Sequence, residues 1–237
     1  MLEPTCGRLN AMNRVLTSIA AACLVFSSSP PASADVEAGI WAAERGNYKM
    51  AHAEFLREAK RGNPEGQVRL GELYFRGRGV DQNYEEAANW YLQAAEQGNV
   101  VAQFMLGDQY RRGLGVQRSN ETAMGWYKRA AEQNLAQAQY QLAIYYRDGI
   151  GVPEDENMAT SLFEKAARQG MVAAQINLAT RYWRGNNVTQ DRVLAYAWMR
   201  KAAGQGDMNA VQKLKGYARS MSEEDIAAGK RKSLSLY

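Results

Sequence analysis

Small and apolar residues recur along this chain at the three- and four-residue spacings of an α-helix. Gly66, Leu70 and Tyr74 stand four residues apart, and Ala87 and Tyr91 open a second series with the same spacing. Each series places one apolar stripe on a helix whose other faces are polar. A short glycine-rich segment separates the two series. The pattern therefore predicts two helices joined by a loop.

This helix pair is repeated with a period of thirty-six residues. The columns that keep the step are Leu70, Leu106, Leu142, Leu178 and Leu214, then Tyr74, Tyr110, Tyr146 and Tyr182, then the loop glycines Gly77, Gly113 and Gly149. A unit copied several times is typical of a solenoid, in which neighbouring units bury a continuous core. We therefore predict an all-α superhelical solenoid of about five helix pairs. Its divisions are an N-terminal capping repeat at residues 35–63, four repeats at 64–99, 100–135, 136–171 and 172–207, and a C-terminal cap and tail at 208–237.

The predicted helix ends carry two capping columns. Residues with side chains that accept hydrogen bonds from helix N–H groups precede each second helix, at Asn47, Asn83, Ser119, Asp155 and Asp191. Residues that tolerate a left-handed backbone follow it, at Gly62, Gly98, Asn134, Gly170 and Gly206. Ser222, with Asp225 three residues later, indicates a short terminal capping helix.

The loop sequence RGRGV, which contains Gly77 and Gly79, raises the question of a phosphate-binding loop. Dinucleotide and P-loop motifs place their glycines after a strand, and the P-loop adds a lysine and a hydroxyl residue. Here the glycines follow a helix and recur with the repeat, so we interpret the segment as an interhelix turn. In the fourth repeat Asn187 replaces the second glycine, and because asparagine adopts positive φ more readily than most residues, we expect the same loop shape.

The first thirty-four residues differ in character from the repeats. Arg8 and Arg14 precede a twelve-residue apolar run, which leads to Ala32-Ser33-Ala34, an A-x-A cleavage pattern. We predict a signal peptide at residues 1–34, with the start at Met1 or Met12, cleavage after Ala34 and a periplasmic or secreted product. The run is too short for a permanent membrane anchor, so we expect no transmembrane segment after cleavage. A lipoprotein attached through Cys23 is the alternative.

Composition narrows the chemistry that the mature chain offers. Both cysteines, Cys6 and Cys23, lie in the presequence, which excludes disulfides and thiol chemistry from the rest. The only histidine, His52, has no convergent partners for a metal. The carboxylate pairs stand at predicted helix starts, and no G-x-S-x-G motif occurs. The formal net charge of +4 is spread along the chain and does not indicate nucleic-acid binding. We predict no catalytic, cofactor or metal site, with a hydrolase as a remaining alternative.

The repeated motif A-x-x-x-L-G-x-x-Y-x-x-G-x-G-V, followed by A-x-x-W-Y-x-x-A-A-x-x-G, resembles the Sel-one-like repeat, a relative of the tetratricopeptide repeat. The resemblance covers residues 35–206. It implies a right-handed α/α superhelix that acts as a scaffold or adaptor for proteins. Many bacterial members are exported and act in envelope signalling, polysaccharide secretion or host contact. A cysteine-rich branch linked to penicillin binding carries a disulfide in each repeat, and this chain departs from it.

Side chains on the first helix of each pair change between copies while the scaffold columns stay fixed. We expect these variable residues to bind a protein partner on the concave face; the alternative is that they are solvated positions without a partner. The candidates are Glu72, Phe75, Asp108, Arg111, Arg147, Arg181 and Trp183. A rival function is binding of peptidoglycan or another cell-wall polysaccharide by aromatic residues that share one groove.

Overall fold

The computed structural model describes residues 33–236, which form twelve α-helices and no strand. The helices are α1 Ser33–Glu44, α2 Tyr48–Lys60, α3 Pro64–Arg76, α4 Tyr84–Glu96, α5 Val100–Arg112, α6 Asn120–Glu132, α7 Ala136–Asp148, α8 Glu156–Arg168, α9 Val172–Arg184, α10 Arg192–Gly204, α11 Met208–Arg219 and α12 Glu223–Leu234. The predicted signal peptide lies outside the described residues except for its last two positions, with which α1 begins.

The helices form a solenoid in which each packs on its neighbours in sequence. Helices α1 to α10 make five antiparallel pairs, and each pair contacts the next through its second helix. At the C-terminal end, α11 and α12 both pack against α10, so α12 closes the last pair as a cap. The all-α solenoid with a C-terminal capping helix is therefore confirmed. Within the described range, no helix has both the length and the apolar character needed to cross a bilayer.

The predicted capping columns adopt the expected geometry. The side chains of all five predicted N-cap residues accept a backbone N–H from the first turn of their helices. Asn134 has φ +66° in the column otherwise occupied by glycine, and Asn187 has φ +51° in the fourth loop. The loop shape is thus kept where asparagine replaces glycine, as the sequence predicts. Ser222 caps α12 through the N–H of Asp225.

The core is built by close approach of the two helices within a pair. A Cβ added to Gly107 would lie 2.8 Å from Cε1 of Tyr127, so the absence of a side chain lets the tyrosine ring pack on the α5 backbone. The same relation holds at Gly71, where the added Cβ would lie 2.7 Å from the Tyr91 ring. Both tyrosines are almost fully buried. The close packing offsets the roughly 1 kcal/mol that a glycine costs within a helix.

A ladder of paired glutamines, not predicted from the sequence, joins successive second helices. In the second repeat, Gln103 Nε2 donates to the Ala95 carbonyl at 3.2 Å, and its Oε1 accepts from Gln133 Nε2 at 2.9 Å. Gln103 thereby connects the end of α4 to the end of α6. The inner residues of the ladder are Gln67, Gln103, Gln139 and Gln175, and the outer residues are Gln97, Gln133, Gln169 and Gln205. The inner four are buried, and their polar atoms are satisfied across the repeat boundary, as buried polar groups require.

Candidate protein-binding face

Six of the seven candidate residues lie on one side of the first helices of the pairs, and the seventh, Arg181, occupies the buried column of Leu73. We call this side the first-helix face, formed by Arg69, Glu72, Phe75 and Arg76 on α3 and by their equivalents at thirty-six-residue steps on α5, α7, α9 and α11. The structure separates the seven candidates into three groups. Four lie on α3 and α5, Arg147 and Arg181 line a pocket, and Trp183 packs toward the C-terminal end.

On α3 and α5 the face is dominated by ion pairs within each helix. Glu72 Oε1 lies 3.0 Å from Arg76 Nη2, one helical turn later. Asp108 accepts from Arg111 Nε at 3.2 Å and lies 3.1 Å from Arg112 Nη1. The acidic candidates therefore neutralise the neighbouring arginines on their own helices. Because these groups are partly exposed, each pair contributes only about 0.2–1 kcal/mol to stability.

Phe75 is held between the second and third helix pairs. Its ring lies edge-on to Tyr84 with centroids 5.2 Å apart, and the Arg112 guanidinium stands 6.0 Å from its centroid. The ring is only partly buried, so an apolar surface remains open to a partner. Phe75 thus links two units and is also accessible.

Arg181 is the candidate whose surroundings differ most from an open surface position. Only 7% of the residue is exposed. Its Nη1 lies 2.6 Å from Glu156 Oε2, it donates to Thr160 Oγ1 at 3.2 Å, and its guanidinium stands 5.3 Å from the Phe163 ring centroid. These contacts fix Arg181 between α8 and α9. Arg181 also lines the pocket described below, but its main contacts are with these residues of α8.

Trp183 forms a stacked pair at the C-terminal end of the face. Its ring is parallel to that of Tyr217 on α11, with centroids 3.8 Å apart, and the Arg192 guanidinium lies 5.3 Å from the indole. Burial raises the pKa of Tyr217. This stack joins α9 to the C-terminal cap, and the aromatic partner of Trp183 was not predicted from the sequence.

A polar cavity of about 440 Å³ opens between α7, the start of α8, α9 and α11. We call it the basic pocket and define it by Asn177 and the charged residues Arg147, Glu156, Arg181, Arg184 and Lys213. Arg147 Nε donates to Asp148 Oδ1 at 2.6 Å, and this hydrogen bond lowers the pKa of the Asp148 carboxyl. Asn177 Nδ2 donates to the Ala173 carbonyl at 2.9 Å.

Four members of the basic pocket were not among the candidates predicted from the sequence: Glu156, Asn177, Arg184 and Lys213. Arg184 ends its first helix as Arg76 and Arg112 end theirs, where a cation is already explained by the helix dipole. Lys213 lies in the C-terminal cap, where the repeat pattern is weakest. A comparison of charges at equivalent positions of the repeats would have identified both.

The side chains that the structure describes are poorly arranged for metal binding or acid–base catalysis. No group of three or more His, Cys, Asp or Glu side chains between residues 33 and 236 is placed to hold a metal ion. His52 Nε2 lies 3.3 Å from the Tyr74 hydroxyl, and burial lowers the pKa of its imidazole. What the face presents is a row of charged, amide and aromatic groups, which is suited to binding.

The repeats match known proteins in both sequence and structure. The sequence profile described as Sel1 repeat matches residues 64–99, 100–135, 136–171 and 172–207. A Sel1 repeat protein from Oxalobacter formigenes shares 34% identity over 76% of this chain and 74% of its own, with a TM-score of 0.70. A protective antigen of uropathogenic Escherichia coli, which has an SLR fold, shares 30% identity over 86% of this chain but 46% of its own, with a TM-score of 0.72.

More distant structures share the fold alone. A Sel1 repeat protein from Klebsiella pneumoniae has 17% identity, covers 79% of this chain and 93% of its own, and gives a TM-score of 0.52. Among functionally curated proteins, no similar sequence is found. The four matched repeats and their solved relatives show that this chain belongs to the Sel1-repeat family, whose repeats form scaffolds for protein–protein interaction.

Proposed function

We propose that this protein is an exported adaptor that binds a protein partner through the first-helix face. The observation that carries the proposal is the contrast between two sets of equivalent positions. The position of Leu70 is leucine in every repeat, whereas the position of Phe75 becomes Arg111, Arg147 and then Trp183. A face that varies on a constant scaffold supports recognition of one particular partner, because solenoids of this kind bind along their concave side.

The side chains on this face are of the types that carry binding energy at protein interfaces. Interface residues whose truncation costs 2 kcal/mol or more of binding free energy are enriched in tryptophan, tyrosine and arginine. Phe75 and the Trp183–Tyr217 stack supply apolar anchors at two points, and arginines lie between them. This arrangement favours an extended partner segment that contacts several repeats.

The test is affinity capture from an envelope extract, with the chain from Asp35 onward as bait. The variant Phe75→Ala/Arg111→Ala/Arg147→Ala/Trp183→Ala should lose its partner while keeping the helical circular dichroism of the wild type. A matched control removes two cations and one apolar side chain from exposed positions of second helices, as Lys128→Ala/Met158→Ala/Arg168→Ala, and should capture normally. Unchanged capture by the face variant would show that binding occurs elsewhere.

Co-sedimentation with cell-wall sacculi distinguishes the polysaccharide alternative. Loss of sedimentation in the face variant, together with no captured protein, would favour a polysaccharide ligand and contradict the adaptor role.

Export is proposed from the basic segment, apolar run and cleavage pattern of residues 1–34. An adaptor of this kind would act in envelope signalling, secretion or assembly. In a bacterial host, mass spectrometry of the recovered protein should give Asp35 as the first residue, and Ala34→Leu should block cleavage. An intact N-terminus in the cytoplasm would contradict export, and a lipid-modified Cys23 would identify a lipoprotein.

A further inference from the structure

One position of the first-helix face decides whether the arginine four residues later is neutralised. Glu72 pairs with Arg76 on α3, and Asp108 pairs with Arg112 on α5. The equivalent position on α9 is Thr180, whose hydroxyl donates to its own helix at the Ile176 carbonyl. The position therefore loses its carboxylate between the N-terminal and C-terminal repeats.

Arg184, four residues after Thr180, consequently has no carboxylate partner within the described residues. Lys213 on α11 likewise has no carboxylate partner in the part of the chain that the structure describes. Its equivalent on α3, Arg69, bonds Glu65 at 2.8 Å, whereas asparagine stands four residues before Lys213. Two exposed cations on adjacent first helices thus remain uncompensated.

These two cations line the basic pocket together with two that are already neutralised. Arg147 is paired with Asp148, and Arg181 is paired with Glu156. The pocket therefore carries a local excess of about two positive charges, although the sequence as a whole is only mildly basic. A cleft lined by uncompensated cations attracts anionic groups more strongly than a flat surface does, because its low-dielectric walls focus the field.

We propose that the basic pocket binds carboxylate side chains of an acidic peptide segment in the protein partner. This inference rests on the proposed adaptor function and names the chemistry of the partner. The guanidinium of Arg184 presents a planar pair of donors that matches a carboxylate, and Lys213 adds a second cation from the next helix. A peptide is favoured because the pocket is continuous with the rest of the first-helix face, so a segment seated there extends toward the other repeats.

The probe is a fluorescein-labelled hexaglutamate peptide, with hexaglutamine as its neutral counterpart, and binding to the purified protein is followed by fluorescence anisotropy at low ionic strength. Hexaglutamate should bind and should be released as salt is raised. Arg184→Ala/Lys213→Ala should weaken binding roughly tenfold or more, since hydrogen-bonded charged contacts are lost. Arg69→Ala/Arg76→Ala removes the same charge from cations that already have partners, and should change binding by less than about threefold.

A second variant tests the mechanism without removing a cation. Thr180→Glu restores the carboxylate found in the first two repeats, so it should neutralise Arg184 and weaken hexaglutamate binding to a similar extent. Thr180→Gln has the same length and no charge, and should bind like the wild type. Circular dichroism of all variants verifies that the helices are retained.

Several results would overturn the inference. The pocket does not recognise carboxylates if hexaglutamine binds as tightly as hexaglutamate. The same conclusion follows if the two double variants lose equal affinity for hexaglutamate, or if Thr180→Glu has no effect on binding. Inorganic phosphate that competes at the same concentration as the peptide would assign the site to a free anion instead. If Arg184→Ala/Lys213→Ala still captures the envelope partner, the acidic-segment assignment fails while the adaptor function stands.

Discussion

The glutamine ladder predicts a measurable coupling between repeats, and Gln103→Met is the perturbation that isolates it. Methionine has nearly the same length and volume as glutamine but neither donates nor accepts a strong hydrogen bond. The substitution therefore removes the bonds from Gln103 to the Ala95 carbonyl and to the Gln133 amide without leaving a cavity. Any loss of stability then reports the ladder itself.

The magnitude follows from what remains bonded. The Ala95 carbonyl still accepts from the Gly98 N–H at 3.0 Å, and the Gln133 amide still donates to the Gly98 carbonyl at 3.1 Å. Neither group is left buried without a partner, so the full desolvation penalty does not apply. Two lost hydrogen bonds, at a net value of about 1 kcal/mol each, less the gain from burying an apolar side chain, give a destabilisation of about 1–2 kcal/mol.

Urea unfolding followed by circular dichroism measures this change as a shift in midpoint at constant slope. Gln82→Met is the control, because Gln82 also donates to a backbone carbonyl, that of Phe75, but is exposed; it should change stability by less than about 0.5 kcal/mol. A double-mutant cycle of Gln103→Met with Gln133→Met should give a coupling energy of about 0.5–1.5 kcal/mol. A coupling energy indistinguishable from zero would refute the conclusion that the ladder joins the repeats.

Two further predictions concern the core and its ionisation. Gly107→Ala should destabilise the fold by about 1–3 kcal/mol in urea unfolding because its Cβ would meet the Tyr127 ring. Gly125→Ala, at an open helical position, should stabilise the fold by up to about 1 kcal/mol. Equal effects of the two substitutions would contradict the close-packing argument. Burial and the hydrogen bond to Glu164 raise the pKa of Tyr182 to about 12 from its ordinary value of 10.0. Because the unfolded chain releases this proton first, the free energy of unfolding should fall as pH rises from about 10 to 12, and Tyr182→Phe should fall less steeply; parallel curves would exclude the contribution.

The fold was largely predictable from the sequence because each repeat supplies independent signals that agree. The leucine column marks the apolar stripe, and the caps before and after each second helix mark its ends. At Asn134, glycine is absent, yet the position still adopts positive φ, since asparagine tolerates that conformation. Helix caps and left-handed residues are local properties of the chain, which is why sequence alone identifies them.

The candidate site was less predictable because its properties depend on contacts between repeats. Arg181 occupies the helix position of Leu73, Gln109 and Tyr145, which are all buried. Its polar partners there, Glu156 and Thr160, come from α8 of the preceding unit and are not visible in the sequence. Trp183 stacks on Tyr217 from the C-terminal cap, where the repeat pattern had weakened. The Gln103 column was visible in the sequence as a thirty-six-residue repeat, but a polar residue at an apparently helical surface position gives no sign of burial.

The repeat architecture also explains how one solenoid presents different chemistry along its length. The position of Glu72 is not fully buried in any unit, so its replacement by Asp108, Ile144, Thr180 and Gly216 in successive units leaves the packing columns intact. The residue type at this position nevertheless sets the net charge of the face, because a carboxylate there forms an ion pair with the arginine four residues later. The number of arginines on a first helix is therefore a poor guide to binding in such a scaffold. Arg184 follows this position where it carries no carboxylate, so we expect Arg184, rather than Arg76 or Arg112, to be available to a partner.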